Sequence, residues 1–165
     1  MDDAPDRGES RAPHVQDLIG LCLALNEAGA RYLLIGGFAV ILHGFVRSTK
    51  DVDLLVDPSE ENIRSVKRAL ATLPDNAAAL LEDDEVLRYP VVRVADEIVV
   101  DLLASACGID YEEAARTGIE TFRIQGVEIP VASKELLIRM KNTVRESDAL
   151  DVRFLRMRIE EEGRG

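Results

Sequence analysis

Tyr32-Leu33-Leu34-Ile35-Gly36-Gly37 and, after thirteen intervening residues, Asp51-Val52-Asp53-Leu54-Leu55-Val56 are the two runs on which the fold turns. The first is apolar and closes on a glycine pair, which reads as a strand turning into a short helix over Phe38 to His43, ended by Gly44. The second alternates at its start. Side chains two apart on a strand share a face, so Val52, Leu54 and Val56 point to a core while Asp51 and Asp53 project together from the other side. Their Cα atoms then lie about 6.6–6.8 Å apart, close enough for both carboxylates to reach one metal ion. Two like charges held this near raise each other's pKa unless a cation intervenes.

Working outward, a third acid interrupts Ile98-Val99-Val100-Asp101-Leu102-Leu103. A bare carboxylate in a buried strand is costly, so Asp101 needs a partner or a metal. If this strand lies beside Asp51–Asp53, the three acids form a cup of hard oxygen ligands suited to Mg²⁺ or Mn²⁺. The alternative is a solvated edge strand with Asp101 paired to an arginine such as Arg93. Gly36 and Gly37 open the next helix, where free backbone N–H groups favour phosphate. Lys50 stands next to the acidic pair, placed either to meet a phosphate or to offset Asp51 and Asp53. An Asp-x-Asp is weak evidence alone in a chain with 31 acidic residues; the ordered set carries the reading.

The remaining pattern surrounds these pieces with helices. Val15, Leu18, Ile19, Cys22, Leu23 and Leu25 recur at helical spacing, with Gly29 as a stop. Asp57-Pro58-Ser59-Glu60 reads as a cap with Pro at the first helical position, leading a helix whose buried stripe is Ile63, Val66, Leu70 and Leu73. A short helix is expected over Ala77 to Leu81. Val86–Val94 and Ile98–Leu103 read as an antiparallel pair across Ala95-Asp96-Glu97. Tyr111 to Arg116 is a short helix, and Thr121–Ile124 with Val127–Val131 a hairpin whose tip is Gln125-Gly126. Two C-terminal helices, Ser133–Val144 and Ser147–Glu160, each begin on a serine. The expected fold is α/β (α+β): a mixed β-sheet with helices packed on it and a C-terminal helical pair. Residues 1–13 read as a disordered tail and 14–160 as a single domain.

Composition narrows the function. The net charge of −11 argues against indiscriminate binding to nucleic acid or an anionic membrane, and aromatics at 4% with no Trp argue against a base-stacking platform. Charge is unevenly spread: Asp75 to Glu120 holds twelve acids against three bases, while Lys134 to Arg158 holds seven bases against four acids. Cys22 and Cys107 are far apart and fit no metal spacing. With no leader and no long apolar run, a cytoplasmic protein without a membrane partner is expected. Gly-x-Ser-x-Gly and Walker-type motifs are absent, which leaves hydrolase and P-loop readings without support.

Gly36-Gly37-Phe38-Ala39-Val40-Ile41-Leu42-His43-Gly44, then Arg47-Ser48-Thr49-Lys50-Asp51-Val52-Asp53, then Val100-Asp101-Leu102-Leu103, resembles the minimal nucleotidyltransferases of the DNA polymerase beta superfamily. The nearest flavour is the abortive-infection-type toxin-like group. Val131 to Lys141, followed by Arg145, Asp148 and Asp151, is similar to that family's C-terminal helical segment. The resemblance implies transfer of NMP from an NTP such as ATP to a hydroxyl acceptor, with Asp51, Asp53 and Asp101 holding Mg²⁺ or Mn²⁺. It also implies a phosphate contact at Lys141 and, within the toxin-like group, a tRNA or protein acceptor and an antitoxin partner, whereas other branches of the superfamily imply a small hydroxylated molecule as acceptor. Gly37 departs from the serine found in many members and offers only backbone to a phosphate. A non-catalytic nucleotide-binding regulatory or antitoxin-like module of the same fold is the competing expectation.

Overall fold

A computed structural model describes residues 9–143 and 145–164. Residues 1–8 of the expected tail and Val144 lie outside the described residues. Ser10 and Arg11, from the remainder of that segment, bond to the backbone oxygens of Asp96 and Glu97.

The chain runs α1 (Val15–Glu27), β1 (Tyr32–Ile35), α2 (Gly36–Leu42), β2 (Asp51–Val56) and α3 (Glu60–Leu70), then a 3-10 turn at Ala77–Leu80. It continues through α4 (Glu85–Arg88), β3 (Val92–Ala95), β4 (Val99–Leu103), the two-residue strands β5 (Ser105–Ala106) and β6 (Ile109–Asp110), and α5 (Tyr111–Thr117). The hairpin β7 (Ile119–Ile124) and β8 (Val127–Ala132) precedes α6 (Lys134–Met140) and α7 (Glu146–Gly163).

Six strands form one mixed sheet in the order β3-β4-β2-β1-β8-β7. The expected mixed α/β architecture is what the chain adopts. β1 and β2 are antiparallel, whereas β2 and β4 are parallel, which the long connection between them permits. Leu33, Leu34, Val52, Leu54, Leu55, Val100, Leu102, Ile129 and Val131 are fully buried across these central strands. Burying each such side chain is worth about 1.5–3 kcal/mol, and this burial fixes which face every intervening acid must occupy. α1 packs on α3 and β8; α2 rests on β1 and β2 and meets α6 and α7.

Local chemistry explains several boundaries. Gln125 and Gly126 both take positive φ (51° and 80°), the primed turn that matches strand twist, so the β7–β8 hairpin closes as expected. Ser133 caps α6, its Oγ accepting from the Leu136 N–H at 3.2 Å. His43 is buried, its Nε2 lying 2.9 Å from the Ala132 carbonyl, and burial lowers its pKa; it is a satisfied structural histidine.

Other boundaries differ from the sequence expectation. Ser59, not Asp57, caps α3, because its Oγ accepts from the Asn62 N–H while Asp57 accepts from Ser59 and Arg31. Arg145 rather than Ser147 stands at the N-cap of α7, and α6 ends at Met140. Val86 to Arg88 is helical, not part of β3; Arg88 pairs there with Glu82 and Asp84 and closes the turn. Asp96, read from sequence as a turn residue, is buried and accepts from the N–H groups of Asp75, Ala77 and Glu97. Burial pushes its carboxyl pKa up, but those three donors outweigh it and hold it below the usual range.

Candidate functional site

The parallel pairing of β2 with β4 sets Asp53 directly opposite Asp101 and Asp51 opposite Val99. Neighbouring strands lie about 4.8 Å apart, so aligned side chains on one face must meet. Asp51, Asp53 and Asp101 each offer one carboxylate oxygen, all within 4.8 Å of one another. Asp101 is only 5% exposed, whereas Asp51 and Asp53 are half-buried. The cup expected from sequence is formed.

Holding three acids together is electrostatically costly. Burial, reinforced by the charges of Asp51 and Asp101, pushes the Asp53 carboxyl up to about 7. Burial and then the Asp101 charge raise Asp51 as well. Hard oxygen donors, mutual repulsion and partial burial are the donor set a divalent cation relieves. The residues fit such an ion.

Gly36 makes the geometry possible. A β-carbon there would lie 2.0 Å from Asp53 Oδ2, and the residue has φ +73°. Only glycine combines that backbone with that approach. Gly36 thus seats the Asp53 carboxylate, a role sequence reasoning did not assign. Gly37 is buried on another side, where a β-carbon would meet Thr49 Oγ1 at 3.0 Å and the Arg47 guanidinium at 3.3 Å.

The carboxylates open into a hollow of about 690 Å³ lined also by Gly36, Arg93, Lys141 and Arg145. Cavities of roughly 300–1,000 Å³ hold small ligands of nucleotide size. Gly37 and Lys50 are not among its lining residues, and Lys50 is exposed. Lys141 reaches the hollow, but its Nζ lies 3.0 Å from Asp151 and 3.4 Å from Asp148. Asp148 also accepts from Thr143 Oγ1 and from Arg145 Nε at 2.8 Å. Burial raises the Asp148 pKa, and these donors together more than reverse it. Arg47 closes the network on Asp151 from the loop before β2, where Phe45 stacks on Phe154 with ring centres 4.6 Å apart. α7 thereby holds both Lys141 and the loop that leads into β2.

Arg93 is the residue whose importance the sequence understated. It stands opposite Asp101 on β3, with Nε 3.0 Å from Asp101 Oδ1 and Nη2 3.0 Å from Oδ2. The same Nη2 lies 3.4 Å from Asp51 Oδ2. The solvated edge strand is not what forms, since β4 lies between β3 and β2 and Asp101 is buried; the Arg93 pairing occurs all the same, beside the acidic cup. The Val92-Arg93-Val94 alternation was the available signal.

A second hollow, of about 1,010 Å³, runs between α6 and α7 and shares Cys107, Lys141 and Thr143 with the first. Arg153 and Arg156 line it and take part in no ion pair among the described residues.

Solved structures share this architecture. A candidate nucleotidyltransferase from Thermotoga maritima matches over 89% of this chain and 92% of its own, with a TM-score of 0.52 and 15% identity. An antigenic nucleotidyltransferase-like protein from Paracoccidioides brasiliensis matches over 91% of this chain and 78% of its own, with a TM-score of 0.53 and 18% identity. The chain has a nucleotidyltransferase fold. At these identities the likeness carries the fold alone. No protein-family profile and no curated protein matches the sequence. No helix among the described residues is long and apolar enough to cross a membrane.

Proposed function

We propose that this chain is a metal-dependent nucleotidyltransferase that moves NMP from an NTP to an acceptor hydroxyl. The observation that carries the reading is the Asp53–Asp101 register across parallel strands, with Asp51 two residues away on the same face. Asp51, Asp53 and Asp101 would hold Mg²⁺ or Mn²⁺. Bound there, the ions would activate the attacking hydroxyl and neutralise the departing pyrophosphate. Gly36 keeps the Asp53 carboxylate seated. Lys141 and Arg145 add positive potential along the wall facing the carboxylates, each fixed in position by the aspartates of α7.

The acceptor would approach through the hollow between α6 and α7. Arg153 and Arg156 favour an anionic acceptor there, which supports tRNA over protein among the acceptors implied by the toxin-like resemblance. An antitoxin that silences the enzyme belongs to the same reading.

Turnover of labelled NTP by the parent chain and by Asp51→Ala and Asp101→Ala tests the function. Loss of a metal ligand is expected to lower turnover by more than about a hundredfold. Equal labelling by parent and variants would refute the assignment. Nucleotide binding by the parent without any turnover would favour the non-catalytic module.

A further inference from the structure

The carboxylate cup already carries a cation supplied by the chain. Among the described residues, Arg93 is the cationic side chain in direct contact with these acids; it engages both Asp101 oxygens and approaches Asp51. Those are oxygens that a divalent ion would need. Lys141 and Arg145 line the same hollow, yet their ion pairs are to Asp148 and Asp151.

We propose that Arg93 is a displaceable counter-ion: a divalent cation takes its place on Asp51 and Asp101, and the released guanidinium then holds a phosphate of the nucleotide. This rests on the nucleotidyltransferase reading and adds a residue to it.

The geometry supports an exchange more than a fixed brace. β3 is an edge strand, and the Arg93 side chain is 60% exposed, so it can swing without disturbing the core. Val92 and Val94 on either side are buried and keep the strand in register when the side chain moves. Arg93 also lines the hollow in which a polyphosphate would lie. A guanidinium fork satisfies phosphate oxygens with the same two parallel bonds it makes to a carboxylate. Electrostatics favours the order: three acids against one arginine leave a negative excess that a divalent ion reduces further. Once that ion sits on Asp51 and Asp101, the released guanidinium still borders the hollow where the phosphates of an incoming nucleotide would lie.

The exchange predicts opposite effects on two ligands. If Arg93 occupies the carboxylates about nine-tenths of the time, apparent metal affinity is roughly tenfold below its intrinsic value. Arg93→Ala should therefore bind Mn²⁺ about tenfold more tightly than the parent in the absence of nucleotide, read from loss of the free-ion paramagnetic resonance signal. The same variant should bind a non-hydrolysable NTP analogue about tenfold more weakly at saturating Mg²⁺, having lost one charge-assisted contact. Arg93→Gln, which keeps a hydrogen-bond donor beside Asp101, should show both effects, and its circular dichroism melt confirms folding where the alanine variant fails. An arginine that merely positions Asp101 gives the reverse result, with weaker Mn²⁺ binding when it is removed. Variants that bind Mn²⁺ no more tightly than the parent, or bind the analogue equally well, overturn the proposal. A parent chain that binds no Mn²⁺ at all sinks the metal reading itself, and this inference with it.

Discussion

Asp53 makes the metal-free protein sensitive to pH in an unusual direction. An ordinary buried carboxylate held by donors loses its contribution to stability as pH falls. Asp53 does the opposite, because its folded-state pKa is raised from 3.8 to about 7. Between those values the unfolded chain has lost the proton while the folded chain keeps it. The native state therefore binds more protons, and stability falls as pH rises through that window. Three units at 1.36 kcal/mol each set a ceiling of about 4 kcal/mol, shared across a trio that titrates as one. About 2–3 kcal/mol should be observed between about pH 5 and pH 8, roughly 5–10 °C in melting temperature for a domain of this size.

Asp53→Asn removes the titration, so the quantity to measure is the stability difference between parent and variant, by urea unfolding without divalent ions. The parent should lose ground steadily up to about pH 7 and level off above it. Added Mn²⁺ should reverse the trend: its stabilisation of the parent grows with pH up to about 7, since the ion must displace a proton, and is small in the variant. A parent–variant difference that stays flat over this range, or widens in the parent's favour as pH rises, would refute the electrostatic account of the site.

Gly36→Ala should abolish Mn²⁺ binding and lower stability by at least about 1–2 kcal/mol, since the new carbon collides with Asp53 and the left-handed backbone opposes any side chain; unchanged Mn²⁺ affinity by calorimetry would show that the seat is dispensable. Asp151→Ala strips a partner from both Lys141 and Arg47 in a largely buried setting and should cost about 3–5 kcal/mol in urea unfolding; a loss under about 1 kcal/mol would mean that water or Asp148 readily replaces it.

The sequence shows faces far better than partners. Alternation at Val52, Asp53 and Leu54 reveals which side chains share a side of β2, and the apolar neighbours of Asp101 show that its charge needs an answer. Neither reveals that β2 and β4 align in parallel with Asp53 against Asp101, because that pairing spans a long connection and leaves no local trace. Lys141 illustrates the same gap. Its charge is visible in the sequence, while its capture by Asp148 and Asp151 depends on how α7 folds back on α6. The short α4 was missed because Val86 and Leu87 suit a strand as well as a helix, although in the fold only Val86 is buried. The β7–β8 hairpin was legible because its turn is local and its residues admit positive φ.

The alignment of β2 with β4 sets where this protein tolerates changes in length. Shifting β4 by one residue would rotate Asp101 to the opposite side of the sheet and bury a charge among leucines, so an insertion inside that strand should be lethal to the chemistry. The exposed bend around Asp84 lies within the connection yet outside the lining of the carboxylate hollow. Extra segments, including whole recognition modules, can be grafted at that bend while the acids stay aligned, giving one carboxylate frame a place to acquire new targets.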